Sequence, residues 1–162
     1  MAVIYHYRVT KYDPALRDDS GAYTGNDWTM FGQIGETFDE VRLTLPTYLE
    51  VEGRHLVVLA SFIDESNTST VTAEGVENAA GTFRVSEGAE LTPIDAIEAV
   101  RQMLRDEGWC RLVDDDRFYL HVGWDYYLYV GTDRPCDRSV AMAQERGLFV
   151  DGDFPSPYLE HD

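Results

Sequence analysis

Three consecutive segments rich in aromatic and branched residues constrain the fold of this chain more than any other feature. They read WCRLV, RFYLHV and WDYYLYV between residues 109 and 130, and the turn sequences DDD and G separate them. Such segments bounded by Asp or Gly are typical of β-strands, and connections this short join antiparallel neighbours. The sequence therefore predicts a three-stranded antiparallel meander.

Helices and further strands flank this meander along the chain. Residues rich in β-formers at 3–9 and 69–76 predict two more strands. Apolar residues at helical spacing and capping signals predict helices over 44–66, 92–108 and 133–147. The order β, α, β, α, β, β, β, α predicts an α+β fold with a mainly antiparallel sheet of about five strands and two or three helices packed on one face.

Each of the two longer helices has an apolar face that we expect to pack on the sheet. In the first helix this broad face comprises Leu45, Leu49, Leu56, Leu59 and Ile63, with Tyr48 and Phe62 beside them. In the second it comprises Ile94, Ile97, Val100 and Leu104. Thr92 and Pro93 are the expected N-cap and first helical residue of that second helix.

The size and charge of the chain limit its functional classes. A length of 162 residues is sufficient for a single domain, 1–162, with its own core. Thirty acidic side chains against thirteen basic ones give a net charge of −17. A field of this sign repels nucleic acid and attracts a basic protein partner, although acidity also serves solubility alone.

The sequence lacks the motifs of several kinds of metal, cofactor and catalytic site. The two cysteines form no CxxC and no Cys/His cluster at metal-ligand spacing, so no metal site is expected. A phosphate-binding glycine loop, a GxSxG elbow and an HExxH motif are all absent, so neither a cofactor nor a catalytic residue is assigned. Without a secretory signal or an apolar stretch of membrane length, the chain is expected in the cytoplasm, without membrane contact and with reduced thiols.

Alternation along the meander predicts a binding face. Cys110, Leu112, Phe118, Leu120, Val122, Trp124, Tyr126, Leu128 and Val130 are expected on the helical side. The opposite side would then collect Trp109, Arg111, Tyr119, His121, Asp125, Tyr127 and Tyr129. Trp, Tyr and Arg are enriched in binding hot spots, so this face is the candidate contact surface.

A long irregular segment, residues 13–40, contains Trp28, Phe31 and Tyr23, which either anchor the segment to the core or form part of a site, so Trp28 is a candidate site residue. In the leading hypothesis the face binds a basic protein partner. In the alternative, the 13–40 segment closes over a small-molecule pocket or small active site, with Trp28 as a lid, His121 as acid or base, Asp125 orienting it and Tyr127 donating a proton. A homodimer contact and purely structural cross-strand pairs also remain open.

A resemblance to known proteins adds an expectation about function. The segments YRVTKYDPALRDDSGAYTGNDWT, GWCRL, HVGWDYYLYVG and RGLFVDGDFPSPY resemble a family of small acidic bacterial proteins without an assigned activity. This resemblance spans nearly the whole chain and implies no catalytic residue. In charge and architecture the chain is also loosely similar to immunity proteins of bacterial toxin systems, which implies a non-catalytic protein-binding role.

Overall fold

Residues 2–159, which the computed structural model describes, form an antiparallel sheet of seven strands with three α-helices on one face. The strands are β1 Tyr5–Thr10, β2 Thr37–Phe38, β3 Val41–Arg42, β4 Val71–Glu77, β5 Glu90–Leu91, β6 Trp109–Asp114, β7 Phe118–Val122, β8 Leu128–Thr132 and β9 Phe149–Gly152. The helices are α1 Leu45–Glu65, α2 Pro93–Leu104 and α3 Asp137–Glu145. The main sheet has the order β5-β4-β6-β7-β8-β1-β9, and β2 and β3 form a separate two-stranded ribbon.

The predicted α+β class is confirmed, whereas the sheet has seven strands instead of about five. The two strands of this main sheet that the sequence pattern did not predict are β5 and β9 at its edges. They contain only two and four residues, which is too short for alternation to distinguish a strand from a loop. Short edge strands also limit unwanted pairing with other chains.

The predicted phase of the meander is confirmed for β6 and β7 and for the second half of the third segment. Leu112 pairs with Leu120, which pairs with Val130, and all three are fully buried toward the helices. In the next register position His121 lies between Arg111 and Tyr129 on the opposite face. All five residues of β7, the central strand, are buried, so both faces of the sheet are covered there.

The buried face of α1 agrees with the prediction in its second half, where Leu56, Leu59 and Ile63 are buried, but differs in its first turns. Leu45 and Leu49 are exposed there, and Glu52 and His55 lie in the core beside the expected Tyr48. Buried Glu52, only 3% exposed, is tolerated because Arg105 after α2 donates to both of its carboxylate oxygens at 2.7 and 2.9 Å.

The start of α2 follows the sequence prediction, but one inner-face residue does not. Thr92 accepts a hydrogen bond from the amide of Asp95 at 3.3 Å, and Pro93 is the first helical residue. Ile94 is 82% exposed, because it lies in the first turn on the side away from Ala96 and Val100, which are buried. Among the described residues no helix is both long enough and apolar enough to cross a bilayer.

The contrast between Ile94 and Leu120 gives a test of the core. Leu120→Ala should lower the free energy of unfolding by about 2–5 kcal/mol because it leaves a cavity in the fully buried centre of the sheet. Ile94→Ala should change it by no more than about 0.5 kcal/mol. Urea unfolding followed by circular dichroism measures both. A large loss for Ile94→Ala would contradict the exposed position of this side chain.

Candidate functional site

The face of the sheet opposite the helices carries aromatic and basic side chains from four neighbouring strands and from Tyr127, immediately before β8. We call this surface the aromatic platform; it comprises His6, Arg8, Trp109, Arg111, Tyr119, His121, Tyr127 and Tyr129. Six of the eight residues that the sequence analysis singles out for binding therefore lie on one face. The exceptions are Trp28 and Asp125.

Trp28 lies on the helical side of the sheet. Its ring contacts the rings of Tyr48 and Tyr126, with centroids 5.3 and 5.0 Å away, and it is buried. It anchors the 13–40 segment to the N-terminal part of α1. Trp28 therefore does not act as a lid over His121, and this part of the small-molecule hypothesis is wrong.

A segment close to the end of the chain covers the aromatic platform instead. We call residues 153–159 the covering segment. Its Ser156 hydroxyl lies 2.7 Å from Nδ1 of His121, and the Ser156 amide donates to the hydroxyl of Tyr119 at 3.2 Å. The Tyr158 ring packs on Trp109, with centroids 5.2 Å apart. As a result Tyr119, His121 and Tyr129 are buried in this structure.

Burial determines the protonation state of His121. The side chain is 1% exposed, and its Nε2 has no hydrogen-bond partner among the described residues. Desolvation, with a further contribution from the charge of Arg111, lowers its pKa to about 3. Its described hydrogen bond goes to Ser156 and none goes to Asp125. A neutral imidazole of such low basicity is a poor general base near pH 7.

A close approach of two strands fixes the position of Tyr119. Residues 119 and 131 face each other in the β7–β8 register, and a Cβ atom at Gly131 would lie 2.1 Å from the Tyr119 ring. The absence of a side chain at 131 lets this ring lie flat across β8. From there its hydroxyl reaches Nδ1 of His6 at 2.8 Å as well as the Ser156 amide.

The segment between β7 and β8 is a strained turn instead of the predicted start of a strand. Residues 124–126 form a single 3₁₀ turn in which Asp125 and Tyr126 have φ angles of 57° and 65°. Left-handed conformations are uncommon for residues with a side chain, and Tyr126 is bulky. Tyr126 compensates by burying its ring against Trp28 and donating its hydroxyl to that of Tyr48 at 3.1 Å.

This turn directs Trp124 outward. Strict alternation along the meander would place Trp124 on the helical side, but the side chain is 80% exposed. The backbone beneath it is fixed, because the Gly123 amide donates to the carbonyl of Tyr127 at 2.7 Å and the Tyr127 amide donates to the carbonyl of Trp124 at 3.2 Å. Gly123 is required there, since a Cβ atom would lie 2.6 Å from the Tyr129 ring.

Trp124 stands at the edge of a groove of about 490 Å³, which we call the acidic groove. Its lining residues are Glu77, Ala79, Ala80, Met103, Asp106, Glu107, Gly108, Trp109, Val122, Gly123, Trp124 and Tyr158. Most of these side chains are apolar, and the charged ones are all carboxylates. Trp109 and Tyr158 connect the groove to the aromatic platform.

The three carboxylates of the acidic groove have no salt-bridge partner within the part of the chain that the structure describes. Among residues 2–159, no salt bridge involves Glu77, Asp106 or Glu107. Partial desolvation raises the pKa of the Asp106 carboxyl, although the residue is exposed. Three or more potential metal ligands do not converge anywhere within these residues.

Neither the acidic groove nor the covering segment was predicted from the sequence. The signal for the outward turn is Gly123 followed two residues later by Asp125, a pair of turn-forming residues within an aromatic stretch. The signal for the covering segment is Phe-Pro-Ser-Pro-Tyr at 154–158, where rings and prolines alternate. Comparison with protein-family models, curated proteins and solved structures finds no match to this chain, so the geometry alone supports a function.

The two buried histidines should make the protein sensitive to acid. Burial lowers the pKa of His55 to about 4 and that of His121 to about 3. The histidines of the unfolded chain become protonated near pH 6.5, whereas those of the folded chain stay neutral to a lower pH. The free energy of unfolding is therefore highest above pH 6.5 and falls as the pH is lowered. At pH 5 each buried histidine should have lowered it by about 2 kcal/mol.

His121→Gln tests the contribution of one histidine. The free energy of unfolding would be measured with urea at pH 7, 6 and 5 for this variant and for the wild type. Between pH 7 and pH 5 it should fall by about 2 kcal/mol less in the variant than in the wild type. An equal loss in both proteins would show that His121 is not held neutral in the folded state.

Proposed function

We propose that the protein is a non-catalytic binding domain that docks a basic protein partner at the acidic groove and Trp124. The observation that carries this proposal is the 80% exposed Trp124 beside an apolar groove whose charged side chains are all acidic. Tryptophan, with tyrosine and arginine, is enriched among the hot-spot residues that cluster near the centres of protein interfaces. A surface with this composition favours a partner segment that combines an apolar group with Arg or Lys.

The rigidity of the turn supports a role for Trp124 as an anchor. The ring is presented by two left-handed residues, and Tyr126 holds the turn to the core from below. Strained backbone of this kind persists where the surrounding structure determines it, and it is concentrated at functional sites. Because the backbone under Trp124 is already ordered, docking on it costs little conformational entropy.

Charge complementarity supports a basic partner in preference to other ligands. The net charge of −17 would accelerate the approach of a cationic protein. At the groove itself Glu77, Asp106 and Glu107 offer three carboxylates without salt-bridge partners among the described residues. A lysine or arginine between them would receive charge-assisted hydrogen bonds and could stack on Trp124.

A matched pair of variants tests this function. Proteins retained by the full-length chain from a lysate of the source cells would be purified and titrated against wild type, Trp124→Ala and Ile94→Ala. Trp124 and Ile94 are 80% and 82% exposed, so both variants remove an apolar side chain from the surface. For a basic partner, we expect Trp124→Ala to raise the dissociation constant by about tenfold or more and Ile94→Ala to leave it within about twofold.

Charge variants give a second measurement on the same partner. Glu77→Gln with Asp106→Asn should lower the association rate, and added salt should lower it for the wild type. Equal affinities for Trp124→Ala and Ile94→Ala, or a partner whose association does not respond to salt, would contradict docking at the acidic groove.

A further inference from the structure

Three aromatic residues form one wall of the acidic groove. Trp109, Trp124 and Tyr158 all line it, and the rings of Trp109 and Tyr158 pack with their centroids 5.2 Å apart. Burial raises the pKa of the Tyr158 hydroxyl and hydrogen bonding with the Trp124 backbone opposes this rise, so Tyr158 also adjoins Trp124. Aromatic rings attract cations, because the face of each ring carries partial negative charge.

The remaining lining of the groove offers few acceptors for a buried N–H group. Its residues with apolar side chains or none are Ala79, Ala80, Met103, Gly108, Val122 and Gly123. Two acceptors among them already receive a hydrogen bond. The Val122 carbonyl accepts from Nε1 of Trp109 at 2.7 Å, and Sδ of Met103 accepts from the Cys110 amide at 3.3 Å. A ligand with several N–H donors would lose hydration there without full replacement.

The carboxylates supply negative charge beside the aromatic wall. Glu77 and Asp106 are exposed and Glu107 is half-buried. Glu77 lies opposite Trp109 in the β4–β6 register, and Asp106 and Glu107 precede Trp109 by three and two residues. Because a Coulomb attraction needs no hydrogen bond, these side chains attract a cation at the rings even if it has no donor to offer.

A trimethylated ammonium group meets all three conditions. It carries a full positive charge, has no N–H donor and presents methyl groups to the rings, whereas an unmodified lysine or an arginine brings three or five donors. Recognition of such groups is the established functional use of aromatic rings that surround a cation. The groove volume of about 490 Å³ is within the range of small-ligand pockets and leaves room for an aliphatic stem.

From these observations we propose that the acidic groove recognises a trimethylated lysine side chain of its partner, with the head group held against Trp109, Trp124 and Tyr158. The inference rests on the proposed function for the existence of a protein partner. It narrows the basic residue of that partner to a lysine that carries methyl groups on its side-chain nitrogen. Its test requires no partner protein.

A series of short peptides tests the head group with the full-length wild-type chain. The probe is acetyl-Gly-Lys(trimethyl)-Gly-amide. One control peptide carries unmodified lysine, and the other replaces the trimethylammonium group with tert-butyl, its neutral carbon isostere. We expect the probe to bind at least about tenfold more tightly than either control, because one control brings donors that need acceptors and the other lacks the charge. Isothermal titration calorimetry measures the three affinities.

The tryptophans report where the probe binds. In NMR spectra the indole N–H signals of Trp109 and Trp124 should shift, whereas that of Trp28, buried on the helical side, should not. Trp124→Ala should weaken probe binding by about fivefold or more, and Ile94→Ala should leave it within about twofold. Glu77→Gln with Asp106→Asn should weaken the probe and leave the tert-butyl peptide unchanged.

Several outcomes would overturn the proposal. These are equal affinity for the probe and either control peptide, no binding at millimolar probe, or a shift of the Trp28 signal without shifts of the other two. Choline carries the same head group without a lysine stem, so tighter binding of choline than of the probe would assign the groove to a free small molecule instead. The peptide comparison uses the wild type, so it holds even if a variant fails to fold.

The two proposals fail independently. The docking of a basic protein is measured with Trp124→Ala on the purified partner, whereas the recognition of methyl groups is measured with peptides on the wild type. A probe that does not bind leaves docking at Trp124 in place, and a partner insensitive to Trp124→Ala leaves the peptide result in place.

Discussion

The register between β7 and β8 is the constraint on which the rest of this structure depends. It sets Tyr119 across Gly131 and His121 beside Tyr129 on one face, and Leu120 beside Val130 on the other. A shift of one residue would exchange the two faces and place the polar rings against the helices. The same register brings the Tyr119 hydroxyl to the positions where His6 and Ser156 meet it. The buried helical face and the covered aromatic platform are thus two results of one strand pairing.

The turn between these strands connects the core to the surface. Tyr126 is buried among aromatic rings below the turn, while Trp124, two residues earlier, projects from it. The left-handed residues 125 and 126 make this opposition possible, because a regular strand would direct both side chains to the same face. Stability of the cluster around Tyr126 therefore determines how firmly Trp124 is presented. Fold and candidate docking site depend on the same few contacts.

The sequence predicted the fold class, the phase of the meander in β6, β7 and β8, and the capping of α2, because period-two and helical patterns extend over enough residues there to be distinctive. It placed Leu45, Leu49 and Ile94 in the core and left Glu52 and His55 out, because polarity alone does not reveal that Arg105 compensates a buried carboxylate. Six residues of the aromatic platform were predicted to share a face because the same period-two alternation extends along the three segments of the meander. The covering segment was not, because its contacts join residues about 35 positions apart in sequence and no local pattern encodes them.

Gly131 has a consequence for how a chain of this kind can diverge. Any side chain at this position would displace the Tyr119 ring. The displaced hydroxyl would lose its hydrogen bonds to His6 and to the covering segment. Positions 119 and 131 are therefore coupled: a relative with a side chain at 131 would need a residue smaller than tyrosine at 119. Such paired replacement, traced through related genomes, would distinguish lineages that keep this side of the sheet closed from those that have opened it.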